Sequence, residues 1–128
     1  MTQAGITYDT GALIAAERSD RLMWSLHRAA VTRGLVPTVP AGVLSEAWRG
    51  GPQHQLSRLL QGCEIEDLDE AAARRVGVLV AKSGVTDTVD LAVVDGAVRR
   101  GDVVVTSNRS HIEQGAAAMR TTLAIHDM

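Results

Sequence analysis

Asp87-Thr88-Val89-Asp90-Leu91-Ala92-Val93-Val94-Asp95-Gly96-Ala97-Val98-Arg99-Arg100-Gly101-Asp102-Val103-Val104-Val105-Thr106 decides the architecture of this chain. Val103 to Thr106 is its clearest strand, β-branched throughout, as a strand buried on both faces should be. Asp87 to Arg100 before it carries a helical apolar stripe of Leu91, Val93, Val94, Ala97 and Val98, with Gly101 as its stop. A helix feeding a doubly buried strand is one step of a parallel sheet.

The same step recurs outward from there. Ile6-Thr7-Tyr8 is a short strand, followed by a helix from Thr10 to Glu17. Ser19-Asp20 caps a helix reaching about Arg33, with Gly34 as its stop. Leu35 to Val39 predicts a second strand, which Pro37 pushes towards a loose or edge position. Helices are expected over Ala41 to Arg49 and Gln53 to Gln61, separated by Gly50-Gly51-Pro52. Cys63 to Leu68 alternates as a half-exposed strand, and Asp69 to Lys82 is helical. Arg109 to Met119 predicts loop and short helix, and Thr121 to Ile125 a last strand. Strands separated by helices throughout imply an α/β fold, a three-layer α/β/α sandwich around a mainly parallel sheet of about five strands. At 128 residues the chain suits one domain spanning 1–128.

Composition removes several functional classes. Apolar residues make up 45% and the formal charge is −2, which excludes a disordered chain and a histone-like basic binder. Cys63 is the only cysteine, so neither a disulfide framework nor a thiolate-rich zinc site is available. Tyr8, Trp24 and Trp48 are the only aromatic rings, too few for base-stacking platforms. No stretch approaches the roughly 20 apolar residues of a membrane span, and Met1 to Gly5 lacks the regions of a secretory signal. No membrane partner is therefore expected, and the expected location is cytoplasmic.

The acids carry the functional information. In parallel sheets ligands gather beyond the carboxyl ends of strands, which is where Asp9 and Thr106-Ser107-Asn108 fall. Asp90 lies inside the apolar stripe of its helix, where an ionised carboxylate is costly without a compensating cation or hydrogen bonds. Asp87 suits an N-cap, and a further acid of a cluster is its other role. Glu46 borders the buried side of its helix. If Asp9, Glu46, Asp90 and Asp87 converge, their repulsion calls for divalent cations, and oxygen donors suit Mg²⁺ or Mn²⁺. Phosphodiester hydrolysis is the chemistry such a site supports best. His27, His54, His111 and His126 are scattered and expected on the surface or in packing. Arg49 and Arg109 are candidate phosphate contacts or partners of nearby acids, whereas Arg74-Arg75 and Arg99-Arg100 should decorate exposed helix faces. Trp24 is a candidate for a partner-protein groove or for a dimer interface, since apolar surface around Leu22, Met23, Trp24 and Leu26 exceeds one stripe.

Four segments in this order resemble the PIN-domain ribonucleases, in particular the VapC-type toxins of type II toxin–antitoxin pairs. They are Ile6 to Ala16, Leu44-Ser45-Glu46-Ala47, Asp87 to Ala92, and Val103 to Asn108. The resemblance implies a Mg²⁺- or Mn²⁺-dependent endoribonuclease, a homodimer, silenced by a cognate antitoxin protein. It implies Asp9, Glu46 and Asp90 as metal ligands, with Asp87 as an extra acid and Asn108 as a catalytic-site residue. Asn108 stands where the family usually has aspartate, so a weaker second metal site is expected. The alternative is a PIN-like module that binds RNA or a partner without cutting. Rival acid-after-strand families fit less well. Position 11 is Gly, where haloacid dehalogenase-type phosphatases need a second Asp, and Lys82 ends a helix, where a receiver domain needs a strand-end lysine. No Walker A loop follows the first strand.

Overall fold

The computed structural model describes residues 4–128. Its order is β1 (Ile6–Tyr8), α1 (Thr10–Glu17), α2 (Arg21–Thr32), β2 (Thr38–Pro40), α3 (Ala41–Ala47), α4 (His54–Leu60), β3 (Glu64–Glu66), α5 (Glu70–Ser83), α6 (Thr88–Arg100), β4 (Val103–Thr106), α7 (Arg109–Ala118) and β5 (Ile125–Asp127). The strands form one five-stranded sheet in the order β3-β2-β1-β4-β5, parallel at every pairing. The α/β class, the parallel sheet and its five strands are as the sequence predicts. Among the described residues no helix is long and apolar enough to cross a membrane.

Local chemistry accounts for the helix limits. Asp9, Asp20, Asp69 and Asp87 each accept a backbone N–H of the first turn that follows them, satisfying donors the helix cannot. Gly84 and Gly101 end α5 and α6 in the left-handed conformation, at φ 75° and 70°. Successive residues of β1 then separate the two faces of the sheet. Thr7 donates to Asp102 and accepts from Arg100 on the side where α6 packs, whereas the Tyr8 hydroxyl meets His27 of α2 on the other side. The core is aliphatic, with Leu13, Met23, Leu56, Leu59, Leu91 and Ile112 completely buried.

The structure departs from the sequence-based expectations in five element positions and, sixth, at Trp24. β2 starts at Thr38, not Leu35, and lies between β3 and β1 instead of at an edge. Pro37 precedes the paired residues, so its missing N–H removes no ladder bond. β3 shrinks to three residues because the backbone of Cys63 still closes the turn after α4, on Leu60. α3 stops at Ala47, since Trp48 is extended and the Arg49 N–H bonds the Gln53 side chain. Residues 109–118 form one continuous helix, α7, not loop and short helix. The last strand lies at 125–127 because Thr121 still bonds Ala116 at the end of α7, and Val104 reaches first to Ala124.

The sixth departure is Trp24. It is only 8% exposed, its indole N–H donates to the Ala16 carbonyl, its ring meets His27 edge-on, and the Arg58 guanidinium lies 4.4 Å above it. A ring so covered contributes little surface of its own; Leu22, at 75% exposure, and Val31, at 49%, are the large apolar residues α2 presents to solvent.

The arginine pairs also differ from plain surface decoration. Arg75 and Arg99 both close on Asp95, itself 3% exposed. Arg99 and Arg100 share Glu66, and Arg100 continues to Asp102, itself bonded to Thr7. The network ties edge strand β3 to α6 and leaves both buried acids compensated. Arg75 and Arg99 keep the expected exposure while reaching a buried acid, and Arg74 is only an exposed pair with Glu70.

Helices α6 and α7 approach closely at Gly115. A β-carbon there would stand 2.9 Å from Leu91 and 3.0 Å from Val94, both completely buried. Gly115→Ala is therefore expected to destabilise by about 1–3 kcal/mol through overpacking, read from the urea midpoint. A variant as stable as the parent would contradict the tight contact.

Candidate metal centre

Parallel pairing puts the carboxyl ends of β1 and β4 side by side, with Tyr8 opposite Val105. Asp9 follows β1 immediately and is 3% exposed. One of its oxygens caps α1 by accepting the Thr10 N–H at 2.7 Å, and the other accepts the Thr106 hydroxyl at 2.6 Å. Thr106 in turn accepts the Asn108 N–H at 2.9 Å, so a relay of three groups fixes Asp9 from the end of β4. Gly11 permits the approach: a β-carbon there would lie 2.3 Å from the Ser107 hydroxyl.

Asp90 enters from the first turn of α6 at 6% exposure. A single oxygen of its carboxylate takes the Asn108 side-chain amide at 3.1 Å and the His111 ring at 2.6 Å. Asn108 Nδ2 also lies 2.8 Å from His111 Nδ1, closing a triangle of polar atoms. Asn108 donates to Asp90, and the short contact between Asp90 and His111 Nδ1 shares one proton between the two groups. Asp87 caps α6 through the N–H groups of Val89 and Asp90. Glu46 comes from α3, stays exposed, and accepts the Thr10 hydroxyl at 2.7 Å.

Asp9, Glu46, Asp87, Asp90 and Asn108 are thus brought to one end of the sheet. The carboxylates repel one another there. Burial pushes the Asp9 carboxyl above its usual range; bonds from Thr106 and Thr10 oppose this, and the charges of Glu46 and Asp87 reinforce it. Asp90 is raised as well, by burial first, with His111 opposing and Asp9 and Asp87 adding. Such a set fits a divalent cation, which removes the repulsion. Asp87, Asp90 and His111 each offer a ligand atom, all within 4.8 Å of one another.

His111 is the residue the sequence reading misses. Its signal is its spacing: Asn108 is the N-cap of α7, so position 111 returns to the same helix face. His27 is a packing residue as expected, bonded to Tyr8 and against Trp24. Cys63 is half-buried, donating to the Leu59 carbonyl, with burial raising its thiol to about 12. Neither candidate phosphate contact is a free guanidinium. Arg109 is held by Asp127 and Glu113, and Arg49 folds back on the carbonyls of Ser45 and Trp48. A groove of about 270 Å³ between α1, α3 and α4, lined by Ile14, Glu17, Arg18, Glu46 and Arg49 among others, borders the cluster on the Glu46 side.

No protein-family model matches the sequence, and no curated protein matches it significantly. Among solved structures, the fold is similar to a chain of VapBC2 from Rickettsia felis bound to a DNA fragment from their promoter. The TM-score is 0.68 at 15% identity, covering 96% of this chain and 98% of that one. A likeness this extensive at so low an identity is a likeness of fold. Together with the parallel five-stranded sheet and its flanking helices, it gives this chain the PIN-like α/β fold of that neighbour.

Proposed function

We propose that this chain is a Mg²⁺- or Mn²⁺-dependent endoribonuclease, the toxin of a toxin–antitoxin pair. The observation that carries the reading is the crowding of Asp9, Asp90, Asp87 and Glu46 at the carboxyl ends of β1 and β4, with two of the acids buried. Asp9, Glu46, Asp87 and Asp90 would hold the metal. Once bound, a divalent cation supplies a Lewis acid that activates water and offsets phosphate charge. The protein's own part is orientation. Thr106 and the α1 N-terminus hold Asp9 in one position, Thr10 aims Glu46, and Asn108 and His111 fix Asp90. Such preorganisation spares reorganisation when charge develops. The neighbour's complex supports an antitoxin protein as partner, and homodimer assembly and an RNA substrate belong to the same reading.

The binding-only alternative is favoured by Asn108, whose amide donates to Asp90 instead of adding a carboxylate. Cleavage of pooled cellular RNA by the purified chain decides between them, with Mn²⁺, with Mg²⁺, with chelator, and with Asp9→Asn. Discrete cuts that need metal and vanish in the variant are expected. No cutting by folded chain free of bound partner overturns the nuclease reading.

A further inference from the structure

We propose that His111 is a cation ligand, and that with Asp87 and Asp90 it makes this end of the site prefer Mn²⁺ over Mg²⁺. The inference rests on the metal-dependent reading above and deepens it. Its basis is geometric: the three residues present ligand atoms within 4.8 Å of one another, from the start of α6 and the first turn of α7. The His111 side chain is 41% exposed, so an ion can reach it, whereas Asp90 beside it is 8% exposed and held in place.

The contact between His111 Nδ1 and Asp90 Oδ2 is 2.6 Å, and the proton they share marks where a cation would go. Adjacent ligand atoms around an octahedral ion with bonds of about 2.1 Å stand about 3 Å apart. The pair would open by a few tenths of an ångström, and the proton at Nδ1 would be replaced, by exchange with solvent, by one on Nε2, so that the ligating ring stays neutral. Asn108 adapts to the exchange, because rotating its amide turns Oδ1 instead of Nδ2 towards the site. A nitrogen donor changes selectivity. Mg²⁺ favours an all-oxygen shell and keeps its waters, whereas imidazole binds Mn²⁺ and later transition metals more readily.

A purely positioning role for His111, holding Asp90 by a hydrogen bond, would affect both metals alike. His111→Asn separates the two roles, since the amide can still donate to Asp90 but is a poorer transition-metal ligand. Calorimetric titration of the full chain with Mn²⁺ alone and with Mg²⁺ alone gives the readout. The expected result is a loss of Mn²⁺ affinity of about tenfold or more, with Mg²⁺ affinity changed less than about threefold. Equal losses for both ions, or none for Mn²⁺, overturn the proposal. An independent reading on the unmodified chain is the ¹⁵N resonance of the His111 ring during titration with diamagnetic Zn²⁺. A coordination shift is expected, and an unmoved ring counts against the proposal. RNA cleavage that persists with unchanged metal preference in His111→Asn defeats this inference alone. Metal binding without cleavage in any ion defeats the nuclease reading alone.

Discussion

Asp90→Asn is expected to lower metal-dependent RNA cleavage by on the order of 10³-fold or more while raising the melting temperature of the metal-free protein. The first effect follows from removing a charged ligand from a site where charge stabilisation is worth several kcal/mol. The second follows from repulsion. Asp9 and Asp90 are both raised above the usual carboxylate value of 3.8, burial being the largest cause, with the charges of Glu46 and Asp87 adding at Asp9 and those of Asp9 and Asp87 at Asp90. A raised native pKa means that stability is fully present below 3.8 and is lost as pH climbs through the elevated native values. The metal-free parent should therefore be more stable in mild acid than at neutral pH, and Mn²⁺ should recover the difference at neutral pH. In Asp90→Asn that pH-dependence should shrink. The substituted amide keeps an oxygen able to accept from Asn108 and His111, so packing is preserved. Thermal melts with chelator and with Mn²⁺, across pH 4 to 8 and beside a cleavage assay, read all of this together. A variant that melts lower than the parent in chelator would show that the carboxylates do not repel.

Trp24→Ala is expected to cost about 3–5 kcal/mol, the range for removing a large aromatic side chain from a packed interior. Its indole hydrogen bond to Ala16, its edge contact with His27 and the guanidinium of Arg58 are lost together. Leu22→Ala, one turn face away on the same helix, should change stability by less than about 0.5 kcal/mol, because Leu22 is 75% exposed. Urea midpoints of the two variants make the comparison. Near-equal small effects would mean that Trp24 is a surface residue after all. Any partner-binding measurement on Trp24→Ala has to be read against this loss of stability.

How much of the molecule was legible in the sequence differs by element. Ile6–Tyr8, Thr10–Glu17 and Val103–Thr106 form where their pattern predicts, because each is specified locally by a β-branched run, a cap or a glycine stop. Asp90 was legible for the same reason: a carboxylate inside an apolar stripe conflicts with its surroundings at the level of helical geometry. Asp87 combined both of its candidate roles, capping α6 while standing among the other acids. Harder were Thr121–Ile125 and Arg109–Met119, where a few polar and small residues suit turn, helix or strand equally, and neighbouring hydrogen bonds chose.

By itself, the sequence determined the alternation of strands and helices, the helix caps, and which acids sit at strand ends or on a buried face. Those are short-range matters, decided by backbone chemistry and side-chain period. Only the tertiary structure decided that β2 lies inside the sheet, that Trp24 is covered, that Arg75, Arg99 and Arg100 serve the buried Asp95 and Asp102, and that His111 meets Asp90. Most of these depend on partners distant in the chain, 8 residues for Trp24 and Ala16, 20 for Arg75 and Asp95 and 21 for His111 and Asp90, whereas Arg99 and Arg100 reach Asp95 and Asp102 within four residues. Pairings at such separation carry no local signature, because they are set by strand order and helix packing, which exist only once the sheet has formed.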